Sequence, residues 1–539
     1  MNEKYLDFLN SKIVSKSDKK ILKKMKKSEI IESFSNDLTF GTAGIRGIMG
    51  LGTSKINEYI IEKVTLGLAN YLNKNYENPS VVIGYDTRNN SKKFALCAAL
   101  VLNYNNITTY LFDNYASTPE VSYLVKKLKT SSGIVITSSH NSKIYNGYKV
   151  YNHLGSQIVS PEDAKILKEI NKITSLDMIN KEKVNNKYFK LVDNEYRNKF
   201  IKENKRCLIN DTLITKYSNT LNITYTSLNG VGIMLMKKIF DEYKIKVNYV
   251  KKQCIYDGNF KTCENPNPEL NEVYDLAIKT AKRNNSDIII ASDPDADRIG
   301  IMIKDKLGYR RLSGNMVGII FTYYILNNSK LHKDHYIVRS LPTSTMVDAL
   351  AKKYNVKVKE VLTGCKNIAA QKEKDEKNYL FGFEESLGYM FNIDINDKNS
   401  YSSLLFFIEI LCYLKSKNMS LNDYINKIYK EVGYYYDLSE NIKYDGLNSI
   451  NKMNKIMDDL RNDKIIFPLY KEKIDFLNRK ELKTNAIKYI FNDQTSLIIR
   501  PSGTEPKIKL YFTSFDKEPT KSLEKMESLK KRVLFALNK

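Results

Sequence analysis

Short runs of β-branched and apolar residues recur along the chain, and longer segments in which apolar positions repeat at helical spacing separate them. The clearest apolar runs are Val81–Ile83, Gly133–Thr137, Asp287–Ala291, Tyr336–Val338 and Tyr379–Phe381. The segments with helical spacing include Lys55–Leu72, Leu270–Arg283 and Thr345–Tyr354. Because strands that alternate with helices are typical of βαβ units, this pattern predicts parallel α/β sheets.

The C-terminal part of the chain has a different pattern. Helical stretches come first, and two β-rich runs, Ser496–Arg500 and Lys507–Phe512, then flank a Pro-Ser-Gly turn. This order predicts a smaller α+β domain. A chain of 539 residues is too long for a single hydrophobic core, and its length predicts about three to five domains. Polar stretches that could separate them are Asn204–Asn210, Lys304–Gly314 and the zone after Asn418.

The composition adds a large positive charge. Lysine and arginine number 86 against 61 aspartates and glutamates, a formal net charge of +25. The lysines are spread along the whole chain, without an arginine-rich tail or a recognisable nucleic-acid motif, so we predict no nucleic-acid partner. A positive field of this size would instead steer anionic substrates, phosphates included, toward the protein.

Membrane and secretory signals are weak. The longest apolar run, Leu404–Leu414, is interrupted by Glu409 and is far shorter than a membrane span. The first residues are acidic and polar without an apolar h-region, which disfavours a secretory signal. The six cysteines contain no CxxC pair, and the closest two are Cys254 and Cys263, which disfavours a zinc site or a disulfide scaffold. We therefore expect no membrane partner and a cytoplasmic location.

Three carboxylates lie within five residues, at Asp293, Asp295 and Asp297. Anions this close repel one another unless a cation neutralises them, and oxygen ligands suit a hard cation such as Mg²⁺. A calcium EF-hand is excluded because its required glycine is replaced by Arg298 and its required glutamate by Lys304. A solvated acidic turn is the alternative, but a stiffening proline and the preceding apolar run favour a metal site.

A serine-rich segment, Thr137-Ser138-Ser139-His140-Asn141, follows another apolar run. A hydroxyl in a loop at the end of a strand, beside imidazole and amide groups, can serve as a nucleophile or a phosphate carrier. A serine-rich turn by itself is more often only a turn or a helix cap. Ligands bind at the carboxyl ends of strands in open parallel sheets, so the position favours a functional loop.

Three further segments have residues suited to binding phosphates or hydroxyls. Gly41–Gly47 spaces its glycines by three, matches neither a dinucleotide fold nor a P-loop, and lets backbone amides and Arg46 approach an anion. Arg500–Thr504, with Lys507 nearby, offers hydroxyls, amides and charge. Gly382–Ser386 places two carboxylates and a hydroxyl after a strand, where they could accept hydrogen bonds from sugar hydroxyls. Each segment alone could also be an ordinary polar turn.

Taken in order, these segments resemble the α-D-phosphohexomutase family, most closely its phosphoglucomutase and phosphopentomutase branch. The segments are FGTAGIRG from Phe40, GYDTR (Gly84–Arg88), TSSHN…NGYK (Thr137–Lys149), DPDADR from Asp293, LTG (Leu362–Gly364), GFEES from Gly382 and RPSGTEPK (Arg500–Lys507). The resemblance implies an α/β protein with four domains around a central cleft. Three are related α/β units and the fourth is a C-terminal α+β lid, and we place them at 1–205, 206–313, 314–428 and 429–539.

The same resemblance implies a function and a set of site residues. The function is a magnesium-dependent phosphosugar mutase that interconverts glucose 1-phosphate and glucose 6-phosphate through a phosphoserine, with glucose 1,6-bisphosphate as intermediate and activator. The implied catalytic residues are Ser139, Arg46, Lys149 and His140. The implied metal ligands are Asp293, Asp295 and Asp297 with the phosphorylated Ser139. The implied substrate-binding residues are Arg298, Thr363, Gly364, Glu384, Ser386, Arg500, Ser502, Gly503 and Thr504.

Three departures from the family pattern leave alternatives open. Ser138 and Ser142 replace the usual alanine and proline around the active serine, so Ser139 is assigned by alignment alone. The Lys-Asp-Gly triplet that members of the family often have in the third domain is Lys398-Asn399-Ser400 here. At Gly388-Tyr389 the chain has no histidine, where some mannose-active relatives have one. Phosphopentomutase and phosphomannomutase remain alternatives, as does a catalytically silent phosphosugar-binding protein. The preferred sugar and the oligomeric state are not determined by the sequence.

Overall fold

The computed structural model describes residues 3–41, 44–181, 187–444, 449–467, 469–502 and 507–537. The chain divides into two compact units. The first unit consists of Met1–Ser313, Lys372–Lys374 and Ser386–Cys412, and the second of Gly314–Gln371, Asp375–Glu385 and Tyr413–Lys539. All six cysteines are free thiols. Among the helices described, none is long and apolar enough to cross a membrane.

The first unit begins with a six-stranded sheet in the order β1-β5-β4-β2-β3-β6. Its strands are β1 Ile45–Ile48, β2 Ser80–Tyr85, β3 Thr108–Phe112, β4 Ser132–Ile136, β5 Tyr145–Tyr151 and β6 Phe189–Val192. The helices of this part are α1 Glu3–Asn10, α2 Lys16–Lys24, α3 Lys27–Phe34, α4 Glu58–Asn75, α5 Ser91–Tyr104, α6 Thr118–Leu128, α7 Glu162–Asn171 and α8 Asn194–Lys205. Strand β4 is buried along its whole length, as its continuous apolar run predicts.

A second sheet follows, in the order β11-β10-β9-β7-β8. Its strands are β7 Asn222–Thr226, β8 Lys246–Tyr249, β9 Ile288–Ser292, β10 Ile299–Asp305 and β11 Gly308–Arg311. The helices are α9 Asp211–Tyr217, α10 Ile233–Glu242 and α11 Asp275–Asn284. Helix α11 packs its buried Ala277 and Ala281 into a core with Val273, Ile289 and Ala291.

The predicted parallel arrangement is confirmed for part of each sheet, where β6, β3, β2 and β4 run parallel, as do β8, β7 and β9. The neighbouring strands differ, because β5 is antiparallel to β4 and β10 is antiparallel to β9. Residues 137–144 and 293–298 connect these pairs, and connections this short can join only antiparallel strands. The two chemistry-bearing loops are therefore hairpin connections.

The strands of the next part of the chain are β12 Tyr336–Ser340, β13 Lys357–Val361, β14 Tyr379–Glu384 and β15 Gly388–Phe391. Its helices are α12 Gly314–Asn328, α13 Met346–Lys353, α14 Cys365–Lys374, α15 Ser400–Ser416 and α16 Leu421–Val432. Strand β12 pairs in parallel with both β13 and β14. This places the carboxyl ends of β13 and β14 at the same edge, where the LTG and GFEES segments begin.

The C-terminal part is α+β, as predicted. A five-stranded antiparallel sheet has the order β16-β20-β19-β18-β17. Its elements are β16 Tyr434–Lys443, β17 Tyr470–Asp475, β18 Ile487–Phe491, β19 Ser496–Pro501, β20 Lys507–Asp516, α17 Ser449–Arg461 and α18 Pro519–Leu537. Helices α17 and α18 pack on the sheet through Met453, Met457, Leu460, Leu529 and Val533.

Candidate active site

The serine loop and the three-carboxylate loop meet in the first unit. The Oγ of Ser139 donates a hydrogen bond of 3.0 Å to Oδ2 of Asp293, and both residues are buried. Ser139 has a φ of +52°, a left-handed conformation that costs a non-glycine residue energy and that clusters at functional sites. Its amide N–H donates to Oγ1 of Thr137 at 2.8 Å, which fixes the turn from its N-terminal side.

The three carboxylates form one buried group. Asp293, Asp295 and Asp297 each offer an oxygen, and these oxygens lie within 4.8 Å of one another. The Oδ1 atoms of Asp295 and Asp297 are buried and accept no hydrogen bond, an unfavourable state unless a cation binds them. Burial, followed by the charges of Asp297 and Asp295, raises the pKa of Asp293 well above its ordinary value. The donor set therefore fits a divalent cation such as Mg²⁺.

Two lysines contact the carboxylate group through the Oδ2 atoms of Asp295 and Asp297. Lys149, on β5, has its Nζ 2.8 Å from Oδ2 of Asp295 and 3.4 Å from Oδ2 of Asp297, and Lys398 Nζ lies 3.0 Å from the latter atom. Burial opposes ionisation of Asp297, but Lys398, Lys149 and Arg298 outweigh it and lower its pKa. Burial likewise disfavours charged Lys149, yet Asp295 and Asp297 raise its pKa above the ordinary value.

Lys398 is a site residue that the sequence analysis noted only as part of a departure from the family pattern. Its segment is held close to the three-carboxylate loop, because the Ser400 hydroxyl donates to the Ala296 carbonyl at 2.5 Å. The Asn399 side-chain amide donates to Oδ1 of Asn204 at 2.7 Å. The signal that could have found Lys398 is its position at the start of the altered Lys-Asn-Ser triplet.

Arg46 and His140 lie around the serine loop. The Nδ1 of His140 is 3.3 Å from Ser139 Oγ, and Nη1 of Arg46 donates to Oδ1 of Asn141 at 3.3 Å. Burial, then the charges of Arg298 and Arg46, lowers the pKa of His140 well below its ordinary value. Gly44 permits this geometry, because a Cβ there would lie 1.8 Å from the Tyr148 carbonyl oxygen, so β1 could not approach β5.

The two adjacent serines have different surroundings. Ser139 Oγ contacts Asp293 and His140. Ser138 Oγ is buried and has no hydrogen-bond partner. Of the two hydroxyls, only that of Ser139 contacts the carboxylate group.

The predicted sugar-binding segments come together in the second unit. The backbone N–H of Gly364 donates to Oε1 of Glu384 at 2.6 Å, and Thr363 precedes it in the same turn. Glu384 is buried at the end of β14. Ser386, the next predicted residue of this segment, belongs to the first unit.

The predicted phosphate loop follows β19, which ends in Arg500 and Pro501. The amide of Ser502 donates to the Lys507 carbonyl at 2.8 Å. Gly503 and Thr504 lie outside the described residues. Arg298, predicted to bind substrate, is in the first unit, where its Nη1 is 3.2 Å from Oε1 of Glu269.

A serine hydroxyl beside three carboxylates and several cationic side chains is suited to phosphoryl transfer, which depends on positioning and charge stabilisation more than on covalent chemistry. Family models described as phosphoglucomutase/phosphomannomutase match the chain in four parts. Their α/β/α domains I, II and III match residues 37–177, 194–308 and 313–432, and their C-terminal domain matches residues 441–530.

Individual relatives agree with the family models. Phosphoglucomutases of Staphylococcus aureus strains MSSA476 and N315 are each 34% identical over 505 residues, covering 89% of this chain and 90% of theirs. The crystal structure of a putative phosphomannomutase from Thermus thermophilus has a TM-score of 0.72 at 17% identity, covering 92% of this chain and 98% of its own. The Paramecium phosphoglucomutase pp63/parafusin, in an open form, has a TM-score of 0.71 at 19% identity, covering 93% and 96%.

These comparisons place the chain among the mutases that act on phosphosugars. It belongs to the phosphoglucomutase/phosphomannomutase family, and it is a mutase, a type of isomerase.

Proposed function

We propose that this enzyme interconverts glucose 1-phosphate and glucose 6-phosphate through a phosphoserine at Ser139, with glucose 1,6-bisphosphate as the intermediate. The observation that carries the proposal is the contact of 3.0 Å between Ser139 Oγ and Asp293 inside a buried three-carboxylate group. The choice of glucose rests on the curated relatives at 34% identity, which are phosphoglucomutases.

In the first half-reaction, the bond between Ser139 Oγ and phosphorus breaks while a bond forms between phosphorus and a hydroxyl oxygen of the sugar phosphate. The proton of the sugar hydroxyl ends on Ser139 Oγ, which leaves as a free hydroxyl. Lys149 and Arg46, which the family resemblance names for proton traffic and charge stabilisation, hold positive charge beside the reacting oxygens. The bisphosphate then turns over, and its other phosphoryl group returns to Ser139 by the reverse step. The enzyme ends phosphorylated on Ser139 as it began, and the sugar phosphate leaves with its phosphate on the other hydroxyl.

The charges of the site fit this reaction. Mg²⁺ bound by Asp293, Asp295 and Asp297 would add positive charge beside the transferred phosphoryl group. Lys149 is held within 3.4 Å of two of these carboxylates and adds a further positive charge among buried side chains.

Substrate binding is assigned by the family resemblance. Glu384, Ser386, Thr363 and Gly364 bind sugar hydroxyls in this proposal, and the bond from Gly364 to Glu384 supports a common role for the two segments. The proposed ligands of the non-reacting phosphate are Arg500, Ser502, Gly503 and Thr504, with Arg298 as a further substrate contact. The four proposed domains keep the boundaries 1–205, 206–313, 314–428 and 429–539, and the proposed location is cytoplasmic.

The test is phosphorylation of the protein by glucose 1,6-bisphosphate, followed by peptide mass spectrometry. We expect one phosphate, on Ser139. Ser139→Ala should lower turnover by roughly a thousandfold or more, as loss of a covalent nucleophile does. Ser138→Ala is the matched control, since that hydroxyl has no partner, and should be nearly silent. Phosphate on Ser138, or turnover that survives both substitutions, would refute the mechanism.

The substrate assignment needs a separate comparison. Rates on the 1-phosphates of glucose, mannose, ribose and deoxyribose, measured side by side, should be highest for glucose. A higher rate on a pentose or on mannose would correct the assignment to phosphopentomutase or phosphomannomutase. Binding without turnover of any of the four would leave the catalytically silent relative as the interpretation.

A further inference from the structure

Arg88, a buried residue of the GYDTR segment, forms hydrogen bonds with the backbone of the serine loop. Arg88 is 3% exposed, and its guanidinium donates to four backbone carbonyls of one loop. Nη2 donates to the carbonyls of Ser139 and Asn141, both at 2.5 Å, and Nη1 to those of Ser142 at 2.8 Å and Tyr145 at 3.3 Å. The ring of Phe260 lies 4.9 Å from the guanidinium carbon and adds a cation–π contact.

Asp86 connects this arginine to the other side of the same turn. Its Oδ2 lies 3.2 Å from Nε of Arg88 in an ion pair and accepts a hydrogen bond of 2.7 Å from the Thr137 hydroxyl. Thr137 Oγ1 in turn accepts the N–H of Ser139. Asp86 thus holds the peptide groups on both sides of Ser139, on one side through the Thr137 hydroxyl and on the other through Arg88.

We propose that Asp86 and Arg88 are positioning residues that hold Ser139 in its left-handed conformation and so aim its Oγ at the carboxylate group. A positive φ at a serine persists only where the surroundings impose it. Four carbonyl acceptors around one guanidinium, together with the bond to the Ser139 amide, supply that constraint. Neither residue contacts the transferred group, so the pair acts through Ser139. This inference rests on the proposed function of Ser139.

The expected effect is on the chemical step. In Arg88→Ala, transfer of phosphate from glucose 1,6-bisphosphate to Ser139, followed by quenched flow, should slow by about 100-fold or more, because a misplacement near 1 Å costs this much. The KM for glucose 1-phosphate and the Mg²⁺ concentration for half-maximal activity should change little. Guanidinium ion, at concentrations that do not denature the protein, should restore part of the lost rate. Arg88→Lys should recover little, because an ammonium group lacks the planar fork of donors.

A second pair of variants keeps the test decisive if Arg88→Ala does not fold. Thr137→Val and Ser91→Ala each remove one hydroxyl that donates to Asp86, at 2.7 Å in both cases. Only Thr137 also accepts the Ser139 N–H, so Thr137→Val should slow phosphate transfer about tenfold. Its hydroxyl also lies 3.3 Å from Oδ2 of Asp295, and an unchanged half-activating Mg²⁺ concentration in Thr137→Val assigns the loss to the Ser139 contact. Ser91→Ala should stay within about threefold of the parent enzyme.

The outcomes separate this inference from the proposed function. If the parent enzyme itself takes no phosphate on Ser139, the proposed function fails. If the parent is phosphorylated and a folded Arg88→Ala is phosphorylated at the same rate, the positioning role alone is overturned. It is also overturned if Thr137→Val and Ser91→Ala behave alike, or if guanidinium restores melting temperature in Arg88→Ala but not the rate of transfer.

Discussion

Asp295→Asn tests the role of the three-carboxylate group most directly. Carboxylate oxygens within 4.8 Å of one another repel by about 3.5 kcal/mol per pair or more, at an effective dielectric constant of about 20. The substitution relieves two such repulsions, about 7 kcal/mol, when Asp293 is ionised, and only that with Asp297, about 3.5 kcal/mol, when the raised pKa of Asp293 keeps it protonated. It also loses the attraction of Lys149 at 2.8 Å, about 6 kcal/mol. In either case the two changes cancel to within about 3 kcal/mol, so the metal-free variant should fold with a melting temperature close to that of the parent.

Metal binding should change instead. An amide oxygen carries no formal charge and is a poorer ligand for Mg²⁺ than a carboxylate oxygen. Loss of a residue that only supports a metal ligand weakens metal binding by up to about 100-fold. Because Asp295 is proposed as a ligand itself, the Mg²⁺ concentration for half-maximal activity should rise by roughly 100-fold or more. Turnover at saturating sugar and moderate Mg²⁺ should fall by orders of magnitude. The stabilisation that Mg²⁺ gives to the parent in thermal melts should also shrink, because it follows binding affinity.

The assay is a Mg²⁺ titration of turnover after treatment with a chelator, with isothermal calorimetry as the independent measure of binding. Asp397→Asn is the matched control, because Asp397 is a buried carboxylate 3.8 Å from Lys398 that lies outside the three-carboxylate group. Its half-activating Mg²⁺ concentration should stay within about threefold of the parent, well below the effect of losing a supporting contact. Full activity of the parent in excess chelator, or equal Mg²⁺ dependence of the two variants, would refute the metal role.

Two further predictions concern the second unit. Arg500→Ala should raise KM for phosphorylated substrates strongly while kcat changes less, because charge-assisted hydrogen bonds to the non-reacting phosphate are lost; an unchanged KM in steady-state assays would make this loop structural. Burial raises the pKa of Asp437 to about 6, against opposing hydrogen bonds from Ser344 and Thr513, whereas in the unfolded chain it is about 3.9. The folded state therefore holds a proton that the unfolded state has released, and stability falls as pH rises from about 4 to 6. Asp437→Asn should be more stable than the parent by about 3 kcal/mol above pH 7 and about equal to it near pH 4. Melting temperatures across this range check the prediction, and a difference that does not depend on pH contradicts it.

Hydrophobic patterning located the elements but not all of their ends. Each of the five apolar runs overlaps a strand, although Thr137 and Asp287 lie one residue outside β4 and β9, and Thr345–Tyr354 contains α13. The predicted helix from Lys55 begins at Glu58, because the Asn57 side chain accepts the Ile60 N–H and caps it there. The antiparallel direction of β5 was not predictable from alternation, since strand direction depends on the connection and not on the apolar run.

The sequence motifs identified the loops that form the candidate site, but not all of the contacts that their side chains make. The serine loop and the three-carboxylate loop were identified because residue types suited to chemistry directly follow predicted strands and match the family's motifs in order. Arg88 was quoted only as part of a motif, because its partners are four backbone carbonyls, which every residue has and no sequence pattern distinguishes. Lys398 was missed as a partner of Asp297 for a related reason, since a contact between residues far apart in the chain depends on the tertiary fold.

The location of Lys398 bears on how the enzyme is made in the cell. The loop with Asp297 and the segment with Lys398 belong to the same unit, although Gly314–Gln371 of the second unit separates them in the chain. Because domains fold from the N-terminus during synthesis, the ribosome delivers all three carboxylates well before the second lysine that neutralises them. The nascent first unit must therefore either carry an unbalanced acidic group or bind a cation from solution until the rest of the chain emerges. Mg²⁺ would then support folding of the nascent chain as well as catalysis by the folded enzyme.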